Sequence, residues 1–449
     1  MADTEIPIDA RALPAWFSDA KFGVMVHWTP SSVPGFAPNL GRIWDVPDQF
    51  KNSPYTEWYA NSLRIEGSPV AEYHSATYGA ETPYESFGPE FRRTSTDWRP
   101  QEWAELFQRA GAKYVVPVTK HHDGFLLWPS AFENRHAPPH WRTARDVIGE
   151  LGEEVRNRAM RYGLYYSGGL DWTFNATPIR SFADFRTAIP RETEYVDYAF
   201  AQWEELIDRY EPACLWNDIF MPGPRERLEG LVRSYFERVP DGVVNDRWKS
   251  QATSEGMRAT SYHDFTTPEF EVAPDIREKK WECVRGIGHS FGYNRVEQDE
   301  DYASAEELIR LLVDIVSKNG NLLLNVGPRS DGSIPDPQVD RLERIGAWLA
   351  TNGEAIYGTR PWVRAEGATM DGTPVRFTHA RNTLYAHVLG PLGAEVRLPG
   401  VRPPDGAAVR LLGRPGALSW RMEAGGLVVA VPAGPAPHPA AAVLAIPTG

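Results

Sequence analysis

The chain contains 449 residues, of which 42% are hydrophobic and 24% charged, as is typical of a globular protein with a sizeable core, and its length excludes a single small domain. Lys and Arg total 47 against 60 Asp and Glu, which gives a net charge of −13. Because nucleic acids and acidic membranes are bound through basic faces, this balance disfavours both as partners. It fits a neutral or weakly charged small-molecule substrate better.

The cysteines and the first residues of the chain bear on other protein classes. The two cysteines, Cys214 and Cys283, form no CxxC pair, so neither a zinc knuckle nor a disulfide framework is predicted. Residues 1–6 have neither the basic nor the apolar segment of a secretory signal. No apolar run approaches the about 18 residues of a membrane helix, so we expect a cytoplasmic protein.

Short β-branched or aromatic runs alternate with segments of helical spacing over about 340 residues. The predicted strands lie at residues 21–28, 113–119, 163–167, 214–218, 242–247 and 321–326. The predicted helices lie at residues 103–110 and 192–210, from the capping box 304–307 through 315, and from 336 to 349. This alternation predicts an α/β fold with a mainly parallel sheet, and the length favours a (β/α)-barrel. A doubly wound sheet is the alternative, although none of its usual glycine-rich nucleotide loops follows a strand.

The pattern changes near residues 357–361. From Thr359 onward, short alternating apolar runs at 383–389, 426–432 and 443–447 are separated by Gly and Pro clusters. We therefore predict two domains, a barrel over residues 1–356 and a small all-β domain over residues 357–449.

Polar residues lie in or directly after five of the predicted barrel strands. In chain order they are His27, His121, His122, Asp123, Tyr165, Asp218 and Arg247. Taken singly, each has a simple structural reading, such as a buried histidine, a helix cap or a salt-bridge partner. Because the carboxyl ends of barrel strands meet at one face, where active sites are built, their coincidence predicts a shared pocket.

Three kinds of chemistry can be considered for such a pocket. A metal site is disfavoured because His121 and His122 would point to opposite faces of an extended strand, and no HxH or HExxH spacing occurs. A serine hydrolase is disfavoured because no GxSxG motif occurs. The most economical reading is a carboxylate pair acting across a glycosidic bond, with His and Arg holding sugar hydroxyls and Asp218 placed as nucleophile. The candidates for its partner are Glu269, Glu271 and Glu282.

Longer blocks of the sequence resemble a known family. They include KFGVMVHW (21–28), TKHHDGFLLW (119–128), GLYYSGGLDW (163–172), NDRW (245–248), TPEF (267–270), SFGYNR (290–295) and NGNLLLNVGPRSDGSI (319–334). In this order, over about residues 14–362, they resemble the retaining α-L-fucosidases of glycoside hydrolase family 29.

The resemblance implies a (β/α)8-like TIM-type barrel followed by a C-terminal antiparallel β-sandwich. It implies exo-hydrolysis of terminal α-L-fucosides (EC 3.2.1.51), on a small-molecule or oligosaccharide substrate, without a metal or organic cofactor. It assigns Asp218 as the nucleophile, and the TPEF block points to Glu269 as the acid/base. The residues that would line the fucose pocket are His27, Glu57, His121, His122, Tyr165, Trp216 and Arg247.

Several alternatives stay open at this level. Glu271 or Glu282 could replace Glu269, and Tyr166 could replace Tyr165 if the strand shifted by one residue. A catalytically silent fucose-binding protein on the same scaffold and a metal-assisted hydrolase using the histidines are the two rival functions.

Leaving-group contacts are expected from the loops at residues 29–51 and 176–190. Residues 219–221, Ile-Phe-Met, depart from the glycine or other small residues of many relatives, and no oligomeric state is predicted.

Overall fold

Parallel strands form the central sheet of the structure, a computed structural model that describes residues 11–248, 263–432, 434 and 438–448. The strands are β1 (Phe22–Val26), β2 (Tyr114–Lys120), β3 (Arg161–Ser167), β4 (Cys214–Asp218), β5 (Val243–Val244), β6 (Trp281–Gly286) and β7 (Gly320–Val326). Their order is β5-β4-β3-β2-β1-β7-β6, so β5 and β6 are the two edges.

Residues 265–269 close this sheet into a barrel by lying between the two edge strands. Their parallel bridges are Asn245–Phe265, Thr266–Trp281 and Glu269–Val284. With this segment, eight parallel stretches surround one axis, which is the number found in a TIM-type barrel. The predicted (β/α)8-like barrel is confirmed, and the sheet is closed rather than doubly wound.

Helices cover the outside of the barrel and its loops. They are α1 (Ala15–Ala20), α2 (Tyr59–Leu63), α3 (Pro69–Tyr78), α4 (Phe87–Thr94), α5 (Pro100–Arg109), α6 (Val147–Asn157), α7 (Phe185–Ala188), α8 (Thr193–Tyr210), α9 (Arg225–Arg238), α10 (Ala305–Ser317) and α11 (Asp336–Asn352). The four predicted helices are confirmed as α5, α8, α10 and α11. Within the described ranges, none of these helices combines the length and apolarity needed to cross a membrane.

Helix α10 begins as its sequence predicts. The Ser304 hydroxyl accepts a hydrogen bond from the Glu307 amide at 3.2 Å, and the Glu307 carboxylate accepts one from the Ser304 amide at 2.8 Å, which satisfies two otherwise unpaired donors. Helix α11 begins one residue earlier than predicted, because Asp336 already lies in its first turn, with Pro335 as N-cap. A carboxylate there faces the positive end of the helix dipole.

The two-residue period of the strands decides which side chains enter the barrel. On β2, Tyr114, Val116 and Val118 belong to the inner apolar cluster, whereas Val115 packs in the outer cluster with the helices. On β4 the same alternation turns Cys214 and Trp216 inward, so two residues further on Asp218 enters at the carboxyl end.

Strand β6 and the segment at residues 265–269 are not among the predicted strands. The β6 sequence, WECVRG, has a glutamate and an arginine in a six-residue strand, which breaks the apolar run that marks a buried barrel strand. Glu282 is nevertheless fully buried, because Tyr114 and Trp216 donate hydrogen bonds to its carboxylate.

The C-terminal part is an antiparallel β-sandwich, as the resemblance implies. Its strands are β8 (Arg360–Ala368), β9 (Pro374–Ala380), β10 (Thr383–Val388), β11 (Glu395–Pro399), β12 (Arg410–Leu411), β13 (Trp420–Glu423), β14 (Gly426–Ala430) and β15 (Ala442–Pro447). They form a five-stranded sheet, β12-β15-β10-β9-β8, and a three-stranded sheet, β11-β14-β13. Both sheets contribute to one apolar core. Antiparallel pairing begins with Arg360; the domain division at residues 356 and 357 stays a prediction.

Candidate active site

Asp218 lies at the carboxyl end of β4, where hydrogen bonds from three groups hold its carboxylate. Its Oδ1 accepts hydrogen bonds from Arg247 Nη1 at 2.7 Å and from the Ile219 amide at 2.8 Å, and its Oδ2 accepts one from the Tyr165 hydroxyl at 2.7 Å. Burial alone would raise the pKa of Asp218, but the Arg247 charge, His122 and these hydrogen bonds outweigh it and lower the pKa below its ordinary value. Asp218 is therefore an ionised carboxylate at neutral pH.

Arg247, which follows β5, joins Asp218 to a second carboxylate. Its Nη1 contacts Asp218 at 2.7 Å and its Nη2 contacts Glu269 Oε1 at 2.7 Å. Thr267 fixes the guanidinium, because its hydroxyl and its carbonyl accept hydrogen bonds from Nε and Nη2, both at 2.9 Å. The ring of Trp216 lies under it, with 4.6 Å between guanidinium carbon and ring centroid.

The three candidate acid/base glutamates lie in different environments. Glu269 shares Arg247 with Asp218, and its side chain is 23% exposed against 11% for Asp218. Glu271 lies at the surface. Glu282 is buried beneath the pocket, where Trp216 Nε1 donates to its Oε1 at 3.0 Å. Only Glu269 combines proximity to Asp218 with an opening to solvent.

The register of β3 distinguishes its two tyrosines. Tyr165 points into the barrel, donates to Asp218 and stacks on Trp216, with ring centroids 5.4 Å apart. Tyr166 points outward, and its hydroxyl donates to Gln202 Oε1 on α8 at 2.9 Å. Tyr165 is therefore the pocket tyrosine.

The expectation that His121 and His122 point to opposite faces is wrong. Their ring centroids are 3.9 Å apart, because β2 ends at Lys120 and the chain turns there. The His27 ring joins them, with its centroid 5.4 Å from that of His121. In the part of the chain that the structure describes, no three or more His, Cys, Asp or Glu side chains are grouped so as to hold a metal ion.

All three imidazoles are neutral at physiological pH. Burial lowers the pKa of His27 to about 4 and that of His122 to about 3, and it lowers the pKa of His121 well below its usual range. The cation that contacts Asp218 is therefore Arg247, and the histidines are uncharged hydrogen-bonding groups suited to hydroxyls.

Hydrogen bonds also define the tautomers of two histidines. Asn325 donates its amide to the Phe291 carbonyl at 2.6 Å, so its Oδ1 accepts the proton of His27 Nδ1, also at 2.6 Å. The Ser167 hydroxyl donates to the Leu170 carbonyl at 2.8 Å and so accepts from His122 Nδ1 at 2.7 Å. In both rings Nε2 is therefore the unprotonated acceptor; that of His122 lies 4.0 Å from Asp218 Oδ2.

Glu57 reaches the pocket from a short 3₁₀ turn, Thr56–Trp58. The Gly292 amide and the Ser290 hydroxyl donate to its Oε2 at 2.9 and 3.3 Å. A Cβ at position 292 would lie 2.4 Å from Thr56 Oγ1, so only glycine permits this approach. Burial raises the pKa of Glu57 to about 7 despite these hydrogen bonds.

Tyr55 is a pocket residue that sequence reasoning missed. Among the described residues, its hydroxyl and His121 Nδ1 are buried side-chain atoms without a hydrogen-bond partner. The charges of Glu269 and Glu57 help to raise the pKa of Tyr55, after burial, which is the largest cause. Both atoms need a partner that a bound hydroxyl would supply. No local pattern marks Tyr55, although it lies two residues before Glu57.

Ile219, directly after Asp218, is backbone-strained. Its φ is 65°, in the left-handed region that β-branched residues avoid and glycine adopts freely. Ile219 is the first residue of the segment 219–221, which was noted above as departing from the glycine or other small residues of many relatives. Its side chain packs on a small apolar cluster that contains Leu170 and Phe220, so burial offsets part of the strain.

We expect Ile219→Gly to be more stable than Ile219→Ala by about 0.5–1 kcal/mol, because both lose most of the isoleucine packing but only glycine relieves the strain. Urea unfolding of the two variants measures the difference. An alanine variant as stable as the glycine variant would contradict the strain.

The buried carboxyl of Glu282 should make the stability of the protein depend on pH. Burial raises its pKa to about 7, although Tyr114 and Trp216 donate to it. A carboxyl whose pKa is higher in the folded protein binds its proton more tightly there than in the unfolded chain. This proton stabilises the fold at pH values below the unfolded pKa, and the stabilisation is lost as the pH rises through the folded pKa. Between about pH 4.5 and 7, the free energy of unfolding of the wild type should therefore fall by about 1–3 kcal/mol relative to Glu282→Gln. Urea unfolding of both proteins across this range tests it; parallel curves would contradict it.

A closed parallel barrel whose carboxyl edge holds two carboxylates on one arginine, surrounded by neutral histidines, has the architecture of a barrel glycoside hydrolase. Sequence comparison narrows this class. The family model described as Alpha-L-fucosidase matches residues 2–354, which is most of the chain. The chain belongs to the alpha-L-fucosidase family of glycoside hydrolases.

Known alpha-L-fucosidases are similar to this chain over most of its length. The human tissue alpha-L-fucosidase is 33% identical, over 95% of this chain and 86% of its own. The alpha-L-fucosidase of Dictyostelium discoideum is 35% identical, over 81% of this chain and 75% of its own. A Thermotoga maritima alpha-fucosidase, solved with a mechanism-based inhibitor, is 42% identical with a TM-score of 0.85 over 98% of both chains. Another solved alpha-L-fucosidase is 42% identical with a TM-score of 0.88 over 97% of both chains.

Proposed function

We propose that this protein hydrolyses terminal α-L-fucosides by double displacement with retention, using Asp218 as nucleophile and Glu269 as acid/base. The observation that carries this proposal is Arg247, which contacts both carboxylates at 2.7 Å and so holds them next to each other. Membership of the alpha-L-fucosidase family indicates that the sugar to be released is fucose. The Thermotoga maritima relative has been solved with fucose, which supports a fucoside as the substrate.

The environments of the two carboxylates suit different roles. Asp218 is the more buried one, with its pKa lowered despite its burial, so it is the ionised group that attacks the anomeric carbon. Glu269 is the more exposed one, which suits a group that meets the leaving oxygen and then water. A retaining pair has its carboxyl groups about 5–5.5 Å apart, and a shared guanidinium keeps two carboxylates within such a range.

In the first step, Asp218 forms a bond to the anomeric carbon while the bond to the leaving oxygen breaks, and Glu269 gives its proton to that oxygen. In the second step, Glu269 takes a proton from water, the water oxygen bonds to the anomeric carbon, and Asp218 leaves. The acceptor atoms His27 Nε2 and His122 Nε2 and the unpaired Tyr55 hydroxyl are available to the sugar hydroxyls. Tyr165 and Arg247 hold Asp218 in place.

The test is hydrolysis of 4-nitrophenyl α-L-fucoside by the purified protein, followed by NMR of the first sugar anomer released, with and without EDTA. We expect α-fucose to appear first and EDTA to have no effect. Release of β-fucose first would overturn retention. Loss of activity with EDTA would favour a metal-assisted hydrolase, and binding of fucose without any hydrolysis would favour a silent binding protein.

A further inference from the structure

A cluster of aromatic side chains connects the pocket to the protein surface. Its outer members, here called the rim cluster, are Trp44, Phe50, Phe182 and Phe185. Trp58 links this cluster to the pocket: its ring centroid lies 5.3 Å from that of His122, 6.0 Å from that of Phe50 and 6.1 Å from that of Phe185. Phe50 in turn lies 5.1 Å from Phe182.

The outermost pair of the rim cluster is exposed to solvent. Trp44 is 55% exposed and Phe182 is 61% exposed. Their rings are within 9° of parallel, with centroids 6.3 Å apart. Adjoining exposed aromatic rings form the kind of apolar patch that marks a binding site on a soluble protein. The pair therefore exposes aromatic surface at the outer end of a chain of rings that begins at His122.

Both segments that hold this pair are anchored. Trp44 lies in a 3₁₀ turn whose first residue, Ile43, is buried. Phe182 begins a 3₁₀ turn with a capping box between Ser181 and Asp184. The backbone of Ile179, shortly before it, exchanges hydrogen bonds of 3.0 and 2.8 Å with the Asn61 side chain. A surface held in this way costs little conformational entropy when it binds a ligand.

The chemistry of this surface fits a sugar ring. A pyranose has a face of C–H groups that packs on an aromatic ring, and hydroxyls at its edge. Arg42 and Asp45, on either side of Trp44, form an exposed ion pair at 3.2 Å and supply donors and acceptors for such hydroxyls. Phe50, Trp58 and His122 lie between the exposed pair and Asp218, so a ring that packs on this pair lies beyond the fucose itself.

We propose that the rim cluster binds a sugar ring on the leaving-group side, so that the preferred substrate is a fucosylated oligosaccharide rather than a simple small fucoside. This inference rests on the proposed fucosidase function. Trp44 and Phe182 are its specificity-determining residues; they take no part in bond breaking.

The experiment compares α-L-fucosyl fluoride, whose leaving group has no sugar ring, with fucosylated di- and trisaccharides of different linkage. We expect Trp44→Ala and Phe182→Ala to lower kcat/KM on the best oligosaccharide by about five- to tenfold, the loss of one aromatic packing contact. On the fluoride, both variants should match the wild type within about twofold. Trp44→Phe, which keeps a ring, should restore most of the loss.

Met370→Ala is the matched control, because Met370 is 65% exposed but lies outside the barrel, in the C-terminal sandwich region; it should leave both substrates unaffected. Equal losses on fluoride and oligosaccharide, or no loss on any oligosaccharide, would overturn the inference while leaving the fucosidase function intact. A wild type without activity on the fluoride would overturn the proposed function, and the inference with it.

Discussion

Asp218→Gly is expected to lower kcat/KM on 4-nitrophenyl α-L-fucoside by about 10⁴- to 10⁶-fold, because the group that forms the covalent intermediate is removed. The cavity left at the end of β4 admits a small anion. Added azide should therefore restore turnover by attacking the anomeric carbon from the side on which Asp218 lies, and the product should be β-L-fucosyl azide. NMR of the product determines its configuration.

The matched control is Asp218→Asn. Asparagine keeps the volume of the side chain and one of the two oxygens, which can accept from Arg247 or from Tyr165, so the variant should be inactive and should not respond to azide. Thermal unfolding shows whether each variant is folded. High activity of either variant without azide would exclude Asp218 as the nucleophile.

Glu269→Ala is expected to separate substrates by their leaving groups. On fucosylated oligosaccharides, whose leaving oxygen needs a proton, kcat/KM should fall by about 10³- to 10⁴-fold. On α-L-fucosyl fluoride, which needs little protonation, kcat/KM should fall by about tenfold or less. Because the second step also loses its base, kcat on the fluoride should fall further and be restored by azide.

Glu271→Ala provides the control for this variant, because Glu271 is two residues away on the same segment and lies at the surface. It should keep wild-type kinetics on both substrates. If Glu282→Gln showed the leaving-group dependence and Glu269→Ala did not, the acid/base would be Glu282, and the burial of Glu282 beneath Trp216 would need another explanation.

Much of the barrel was predictable, because its parallel strands are buried on both faces and form apolar runs that local sequence reveals. The runs before Asp218 and Arg247 are of this kind, so both residues could be placed at strand ends. Strand β6 was missed because Glu282 and Arg285 interrupt its run. The inward position of Tyr165 rather than Tyr166 was open, because the two differ only by strand register.

The sequence by itself determined the α/β barrel, the all-β C-terminal part, the family and the type of polar residue at most strand ends, since these follow from local periodicity and from long matching blocks. Only the tertiary structure decided which glutamate shares Arg247 with Asp218 and that the histidines are packed together and neutral. It also decided how Glu57 meets Gly292, 235 residues away, and how Trp44 meets Phe182. Such features depend on burial and on contacts between distant segments, and no local pattern encodes either.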